Sequence, residues 1–469
     1  MYTKKSLKKL LRHTAIISKI AGLVKDVKNS VKASSMYGNI VVLAGGTAAS
    51  QVASIAVTPV LTRLYAPDDF GIMGGYLSIV GIVAVIASLR YELAVLIADD
   101  EIDAKALVAL SMFLVIGNVA FVSAFLWFFG QSACVELGLD VLLPYITFVP
   151  VGMFLAACYN VLNHFAIREK EFTAISKSRV LQKISGLSAK IGFGFAYFGP
   201  AGLLIGDLVG RVLSIRVMLS VMLDKGKVPL EKLTVGRIRR VAWRYRRFPA
   251  YSTFVALINT LGVYLPILLM ISIYGRHSSG CFSLTMTVVG VPMSIVGTSV
   301  GQAYLGEISR LAKTDPARVK HILYKTTRYL AIVSVGPFLV LSVGAPVLFM
   351  RVFGVEWMAS GIFMRIMAPA IVFKFITVPV GHNLSIFERQ DVGLVLNVGR
   401  LLGILTIFGI ANALCWKTTT ALSFLSAYMV LSYFVLFLLS VYVIPGNPGL
   451  EKVPYGRSKW AKENQKGEF

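Results

Sequence analysis

Twelve stretches of mostly apolar residues recur along this 469-residue chain, at about 39–62, 71–89, 106–129, 141–161, 184–198, 200–222, 250–274, 281–303, 329–350, 359–386, 392–412 and 419–443. At 1.5 Å rise per residue a helix needs roughly 17 to 25 apolar residues to cross a bilayer, so nearly every stretch has the length of a span. The fifth is short and can begin nearer Ser178. Inside hydrocarbon each backbone N–H and C=O must be satisfied within its own segment, which makes these spans helices. A mean hydropathy of +0.73 and 15% charged residues leave too little polar surface for a water-soluble globule. The expected fold class is an all-α membrane protein with about twelve transmembrane helices.

Charge sets the direction of the chain. The formal net charge is +24, and 37 of the 47 Lys and Arg residues fall on one side of the expected spans. That side holds the N-terminal arm, Arg90 and Lys105, the loops near 164–183, 222–249 and 304–328, Arg389 and the C-terminal tail. Arg63, Arg276, Arg351 and Lys417 fall on the other. Basic residues stay on the cytoplasmic side, which places both termini there and requires an even number of spans. The same placement argues against a nucleic-acid partner, since the charge is topogenic and forms no basic face of a soluble domain. In a bacterium the membrane in question is the cytoplasmic, or inner, membrane.

The basic loop with Arg237, Arg239, Arg240, Arg244, Arg246 and Arg247 separates six spans from six. The expected organisation is a basic cytoplasmic arm (1–38), a six-helix bundle (39–223), a basic linker (224–249), a second six-helix bundle (250–443) and a cytoplasmic tail (444–469). Both bundles start from the same side, so they are expected to be related by a pseudo-two-fold axis along the membrane normal. Pro59 then falls opposite Pro266 and Gly71 opposite Gly280. The arm has Arg12 and Lys19 inside its apolar stretch, which excludes a signal peptide and suits a basic segment lying on an anionic leaflet.

Six basic residues and one acid lie within the expected spans: Lys190, Arg211, Arg216, Arg365, Lys374, Arg400 and Asp207. A charge near the bilayer centre costs about 2.5 to 3.5 kcal/mol, so such residues face a bundle interior or a wet cavity. A lumen of positive sign selects an anionic ligand. Lys190, Arg211 and Arg400 are the deepest by residue count, whereas Arg216 and Lys374 lie near the ends and can snorkel. Arg365 and Lys374 lie on opposite faces of a regular helix unless a kink at Pro369 rotates one toward the other. Asp207 and Arg211 stand at i, i+4, where they can pair; alternatively Asp207 takes up a proton or Na⁺ during transport. Arg179, Lys183 and Lys190 share one face of the fifth span.

Asp68 and Asp69 open the second span, where carboxylates cap a helix. Arg90 and Glu92 close it, Arg90 as topogenic charge or substrate contact and Glu92 as its neighbour's partner or a second coupling candidate. Asp99, Asp100, Glu101 and Asp103 read as a solvated helix start. The sequence has no HExxH, Walker-type run or metal-spaced cysteines, and the outer loops are short, the longest around Gly130–Asp140. No enzyme and no resident cofactor is expected, beyond H⁺ or Na⁺ as a coupling ion.

The segment LTRLYAPDDFGIMGGYLSIVGIVAVIASLRYELAVLIADDEIDA at 61–104, with GPAGLLIGDLVGRV at 199–212 and VPMSIVGTSVGQAYLGEISRLAKTD at 291–315, resembles the polysaccharide biosynthesis transporters. These are the O-antigen or lipid-linked oligosaccharide flippases of the multidrug/oligosaccharidyl-lipid/polysaccharide exporter superfamily. The resemblance covers roughly residues 38–445 and implies a MATE-like fold. It also implies translocation of an undecaprenyl-pyrophosphate-linked oligosaccharide, an O-antigen or exopolysaccharide repeat unit, to the periplasmic leaflet. Arg211, Arg400, Lys190, Arg365, Arg90 and Lys374 would then line the cationic passage, with Asp207 and Glu92 as coupling candidates. Partners implied are the lipid-linked substrate, membrane lipids, and the polymerase and chain-length proteins of such a pathway. A lipid II or teichoic-precursor flippase needs the same cationic cavity. A multidrug efflux antiporter needs lumenal carboxylates, which spans 39–62 and 250–274 lack.

Overall fold

The computed structural model of the chain describes residues 36–225, 234–312, 315–387 and 389–444. Residues 1–35 of the basic arm, 226–233 of the linker and the tail from 445 onward lie outside the described residues. Among the described residues there are helices and no strands. The longer ones, in chain order, are α1 (Met36–Leu64), α2 (Pro67–Ile86), α3 (Glu101–Glu136), α4 (Phe148–Arg168), α5 (Phe172–Phe195), α6 (Pro200–Lys225), α7 (Val235–Arg244), α8 (Thr253–Leu311), α9 (Pro316–Phe353), α10 (Met358–Thr377), α11 (Gln390–Ala413) and α12 (Thr418–Tyr442).

Among the described residues, seven helices are long and apolar enough to cross a membrane, and the segments 318–338 and 342–353, bent by 54°, qualify together. α5 and α6 fall outside that set because of the charges they carry: Lys177, Arg179, Lys183 and Lys190 on one, Asp207, Arg211 and Arg216 on the other. The chain is a multi-pass membrane protein. Each of the twelve expected stretches falls largely on helix, with α8 carrying two of them across a break at Gly275 (φ 78°). That left-handed geometry suits glycine, which has no Cβ to clash.

Helix ends differ from expectation in a consistent way. The loops expected at 164–183 and 304–328 are mostly helix, because α4 ends at Arg168 and α5 starts at Phe172, while α8 runs to Leu311 and α9 starts at Pro316. Charge ends an apolar stretch but does not end a helix, since Lys and Arg are good helix formers. α3 likewise continues to Glu136, leaving a shorter loop than Gly130–Asp140. The stretch expected at 359–386 is instead broken after Thr377, with a 3₁₀ turn at Val380–His382 behind Pro379, whose ring cannot supply an N–H to the ladder.

Buried apolar side chains segregate by chain segment. Clusters centred on Leu107, Met153 and Phe165, on Tyr76 and Leu204, and on Ile175 and Met218 draw mainly on residues before 226. Clusters around Phe282 and Phe408, Tyr304 and Leu323, and Phe349 and Trp357 draw mainly on residues after 266.

The two segments are joined firmly at the end opposite the basic loops. There the first turns of α2 meet the elbow of α8. A Cβ on Gly71 would overlap the carbonyl oxygen of Arg276, and one on Gly280 would overlap that of Pro67. The two glycines that align between the halves of the sequence thus meet across the contact. Asp69 caps α2 as expected, accepting from Ala66 N at 3.0 Å. Asp68 does not; it faces across the contact to Arg276 Nε at 2.7 Å and His277 Nδ1 at 3.2 Å. Trp357 donates to the carbonyl of Thr62 at 3.1 Å and stacks edge-on against Phe70, centroids 4.9 Å apart.

Candidate functional site: two cationic clusters flanking α8

The first cluster exists because α5 and α6 approach closely. Gly186, Gly206 and Gly210 line their contact: a Cβ on Gly186 would sit 3.1 Å from the Gly206 carbonyl, and one on Gly210 would sit 2.5 Å from that of Gln182. Small residues permit such backbone contact between membrane helices. Lys190 lies across Gly206, its Cγ in the space a side chain there would fill. Tyr65 fixes the same turn by donating to the Lys190 carbonyl at 2.7 Å.

Asp207 and Arg211 pair as their spacing allows, Arg211 Nε donating to Asp207 Oδ2 at 2.6 Å with both side chains 17% exposed. Lys183 and Lys190 lie within electrostatic reach of this pair. Neither lysine has a carboxylate at ion-pair distance among the described residues. Three cations therefore surround one acid. Arg179, expected on the same basic face, instead reaches α1 and donates to Thr47 Oγ1 at 2.9 Å. Tyr76 of α2 and Tyr264 of α8 complete the cluster within reach of Arg211, and the Tyr264 ring packs on Gly81 of α2.

The second cluster has no acid at all among the described residues. Arg400 of α11 donates from Nη2 to Asn397 at 2.9 Å and to Asn259 of α8 at 3.2 Å, while its guanidinium lies 3.5 Å from the place of a Cβ on Gly262. Its Nε is buried without a hydrogen-bond partner among the described residues. Lys374 of α10 and Tyr433 of α12 interact electrostatically with Arg400. Lys374 also borders a cavity of about 320 Å³ shared with Gln302, Phe375 and His382.

One short segment of α8 links the clusters. Asn259 and Gly262 face Arg400, and Tyr264, half a turn on, faces Arg211. Arg211, Lys190, Arg400 and Lys374 are thus gathered about α8, together with Asp207. Arg365 is not: α10 runs unbroken through Pro369, so Arg365 stays on an exposed face away from Lys374. Arg90 and Glu92 pair with each other at 3.4 Å beyond the end of α2, where Ser88 also donates to Glu92; they join neither cluster.

Sequence reasoning passed over Asn259, Asn397, Tyr264 and Tyr433. Uncharged polar groups in a span carry a weaker signal than charges, yet two asparagines in apolar helices point the same way. The acids at 99–103 are also not simply solvated. Arg237 of α7 donates to Asp103 and Asp100, both at 2.7 Å, and Arg244 pairs with Asp99. The bond to Asp103 holds the Arg237 guanidinium above its ordinary pKa.

Comparison with known proteins places this geometry. The family model for polysaccharide biosynthesis proteins matches residues 60–361. No curated protein sequence matches. Among solved structures, an inward-facing multidrug resistance MATE family transporter of the MOP superfamily superposes with a TM-score of 0.66 at 12% identity, covering 89% of this chain and 96% of that one. The outward-facing form of such a transporter gives 0.52 at 13% identity, covering 86% and 94%. A MOP superfamily transporter from Pyrococcus furiosus, whose binding pocket is described as reversed in polarity, gives 0.54 at 13% identity, covering 87% and 95%. These structural neighbours are transporters, not enzymes. With well over half of its length matched and the fold of MATE transporters over the superposed residues, the chain belongs to the polysaccharide biosynthesis protein family.

Proposed function

We propose that the protein is a flippase for an undecaprenyl-pyrophosphate-linked oligosaccharide, an O-antigen or exopolysaccharide repeat unit, moved from the cytoplasmic to the periplasmic leaflet of the bacterial inner membrane. The single observation that carries this reading is the charge excess around α8. Lys183, Lys190 and Arg211 face one carboxylate, and Arg400 and Lys374, near each other, have no carboxylate partner among the described residues. Cations withdrawn from water without counter-charges await an anion, and Arg grips diphosphate oxygens with paired hydrogen bonds. Tyr264, Tyr76 and Tyr433 supply aromatic surface beside them.

The bundles 39–223 and 250–443 rock against each other, closing and opening the α2–α8 contact. With both termini cytoplasmic, that contact seals the periplasmic end and the cationic clusters face the cytoplasm, where the substrate is made. The same cavity suits a lipid II or teichoic-precursor flippase. Cationic drug efflux is disfavoured, because Asp207 is the lone carboxylate at the clusters among the described residues and Arg211 neutralises it.

The test is binding of a polyprenyl-diphosphate oligosaccharide to the purified protein in lipid nanodiscs. Binding is expected to weaken at least tenfold in Lys190→Ala and Arg400→Ala and to persist in Lys190→Arg. Equal binding by wild type and both alanine variants, or uptake of a cationic dye in preference to the diphosphate, overturns the reading.

A further inference from the structure

α7 carries more positive charge than its contacts use. One face is docked: Val241 and Tyr245 are buried, with Ile238 half-buried beside them, in the apolar cluster that includes Leu107 of α3, and Tyr91 donates to the Ala242 carbonyl at 2.9 Å. Arg237 and Arg244 are taken up by Asp99, Asp100 and Asp103. The other face presents Arg239, Arg240, Trp243, Arg246 and Arg247, all exposed. None of these four arginines has a carboxylate at ion-pair distance among the described residues.

Arg239 and Trp243 stand at i, i+4 on one side of α7, and Arg246, just past the helix end at Arg244, comes over the Trp243 ring. With Tyr91 and Ala242 they rim a hollow of about 500 Å³. The Arg246 guanidinium lies 4.0 Å from the centre of the Trp243 ring, a cation–π contact that leaves the outer edge of the guanidinium free to donate. Trp243 is 71% exposed, and Val235 and Tyr251 on either side are 82% and 72% exposed. Large apolar groups so exposed are badly placed in bulk water, and four unpaired guanidiniums are badly placed in hydrocarbon. The boundary between the two suits both, with aromatic rings at headgroup depth and arginines among phosphates.

We propose that this face of α7 binds the phosphate headgroups of anionic phospholipids, so that α7 is an interfacial helix seated on the leaflet. Charge complementarity selects anionic over zwitterionic lipid, and Trp243 with the arginine pair selects a headgroup with acyl chains over a free anion. The site is separate from the clusters at α8 and does not rest on what the protein transports. It also explains why three acids are spent on holding α7: their bonds aim its free face outward.

The test counts lipids bound to the full-length protein in neutral detergent by native mass spectrometry, titrating phosphatidylglycerol against phosphatidylcholine. Wild type is expected to prefer phosphatidylglycerol, with a preference that falls as salt rises. A variant carrying Arg239→Gln, Arg240→Gln, Arg246→Gln and Arg247→Gln is expected to lose at least tenfold in apparent affinity, and Trp243→Ala severalfold. The four-lysine counterpart is expected to stay within threefold of wild type. Should the quadruple variant fail to fold, Arg239→Gln with Arg246→Gln spares the docked face and is expected to lose at least threefold. The proposal is overturned if the glutamine variants bind phosphatidylglycerol as wild type does. It is equally overturned if a polyprenyl diphosphate, and not phosphatidylglycerol, is what those variants cease to bind.

Discussion

Arg276 donates from Nε to Asp68 Oδ2 at 2.7 Å, joining the first turn of α2 to the elbow of α8 from opposite halves of the chain. His277 stands on the other carboxylate oxygen at 3.2 Å. The pair is partly open to solvent, with Arg276 53% and Asp68 34% exposed. An ion pair in that setting contributes only about 0 to 1 kcal/mol. That is weak for a structural rivet and well suited to a latch that must release during transport.

Asp68→Asn is therefore expected to leave the fold intact and to loosen this end of the molecule. A loss of about 1 kcal/mol shifts a two-state population roughly fivefold. Ser283→Cys, behind the latch beside Gly74, reports it through labelling by a membrane-impermeant maleimide in a Cys415→Ser background. Labelling is expected to quicken severalfold with Asp68→Asn, and an unchanged rate would detach the pair from gating.

Gly280→Ala tests the same contact through packing. The new methyl group would overlap the Pro67 carbonyl, and backbone cannot rotate away as a side chain can. Overpacking of this kind costs about 1 to 3 kcal/mol, borne by the closed arrangement alone. The variant is expected to label faster at position 283 than Asp68→Asn does, with little loss of protein from the membrane. Slower labelling would mean that the helices do not separate there.

The order of helices was legible because hydrocarbon imposes length and apolarity on each span, and the Asp207–Arg211 pair because i, i+4 spacing is local. Partnerships between distant segments were not. Asp68 has the sequence position of a helix cap, and only the approach of α8 gives it Arg276 instead. Asp99, Asp100 and Asp103 read as solvated until α7 folds back onto them. Arg400 and Lys374 lie on different helices, so that nothing in their spacing joins them. Arg365 and Lys374 fall on opposite faces of a regular helix by their spacing, and α10, continuous from Met358 to Thr377, keeps to that arrangement.

Asp207→Asn separates pairing from ion coupling. The substitution leaves Arg211 withdrawn from water with no counter-charge, which is expected to destabilise the protein by on the order of 3 kcal/mol and to lower its thermal midpoint. The pH dependence of transport measured on the folded fraction is expected to stay as in wild type, because Asp207 acts as a counter-ion. A flattened pH profile would reassign it to proton or Na⁺ coupling.

Arg211→Ala and Arg400→Ala should part company when stability and binding are read together. Arg211 is matched by Asp207 at 2.6 Å, so its removal takes from that carboxylate its ion-pair partner, leaving only the longer-range attraction of Lys183 and Lys190, and costs stability as well as ligand. Arg400 has no carboxylate partner among the described residues; its Nη2 donates to the neutral amides of Asn259 and Asn397, and it stands near the like charge of Lys374. Its removal relieves repulsion, so the thermal midpoint of Arg400→Ala is expected to equal or exceed that of wild type. A charge-assisted hydrogen bond is worth about 1.5 to 3 kcal/mol, so diphosphate binding is expected to weaken by roughly 10- to 100-fold in the same variant. Gain of stability with loss of ligand marks a residue kept for function; if Arg400→Ala instead unfolds the protein while the surviving fraction binds normally, Arg400 is a structural residue and the second cluster has no part in recognition.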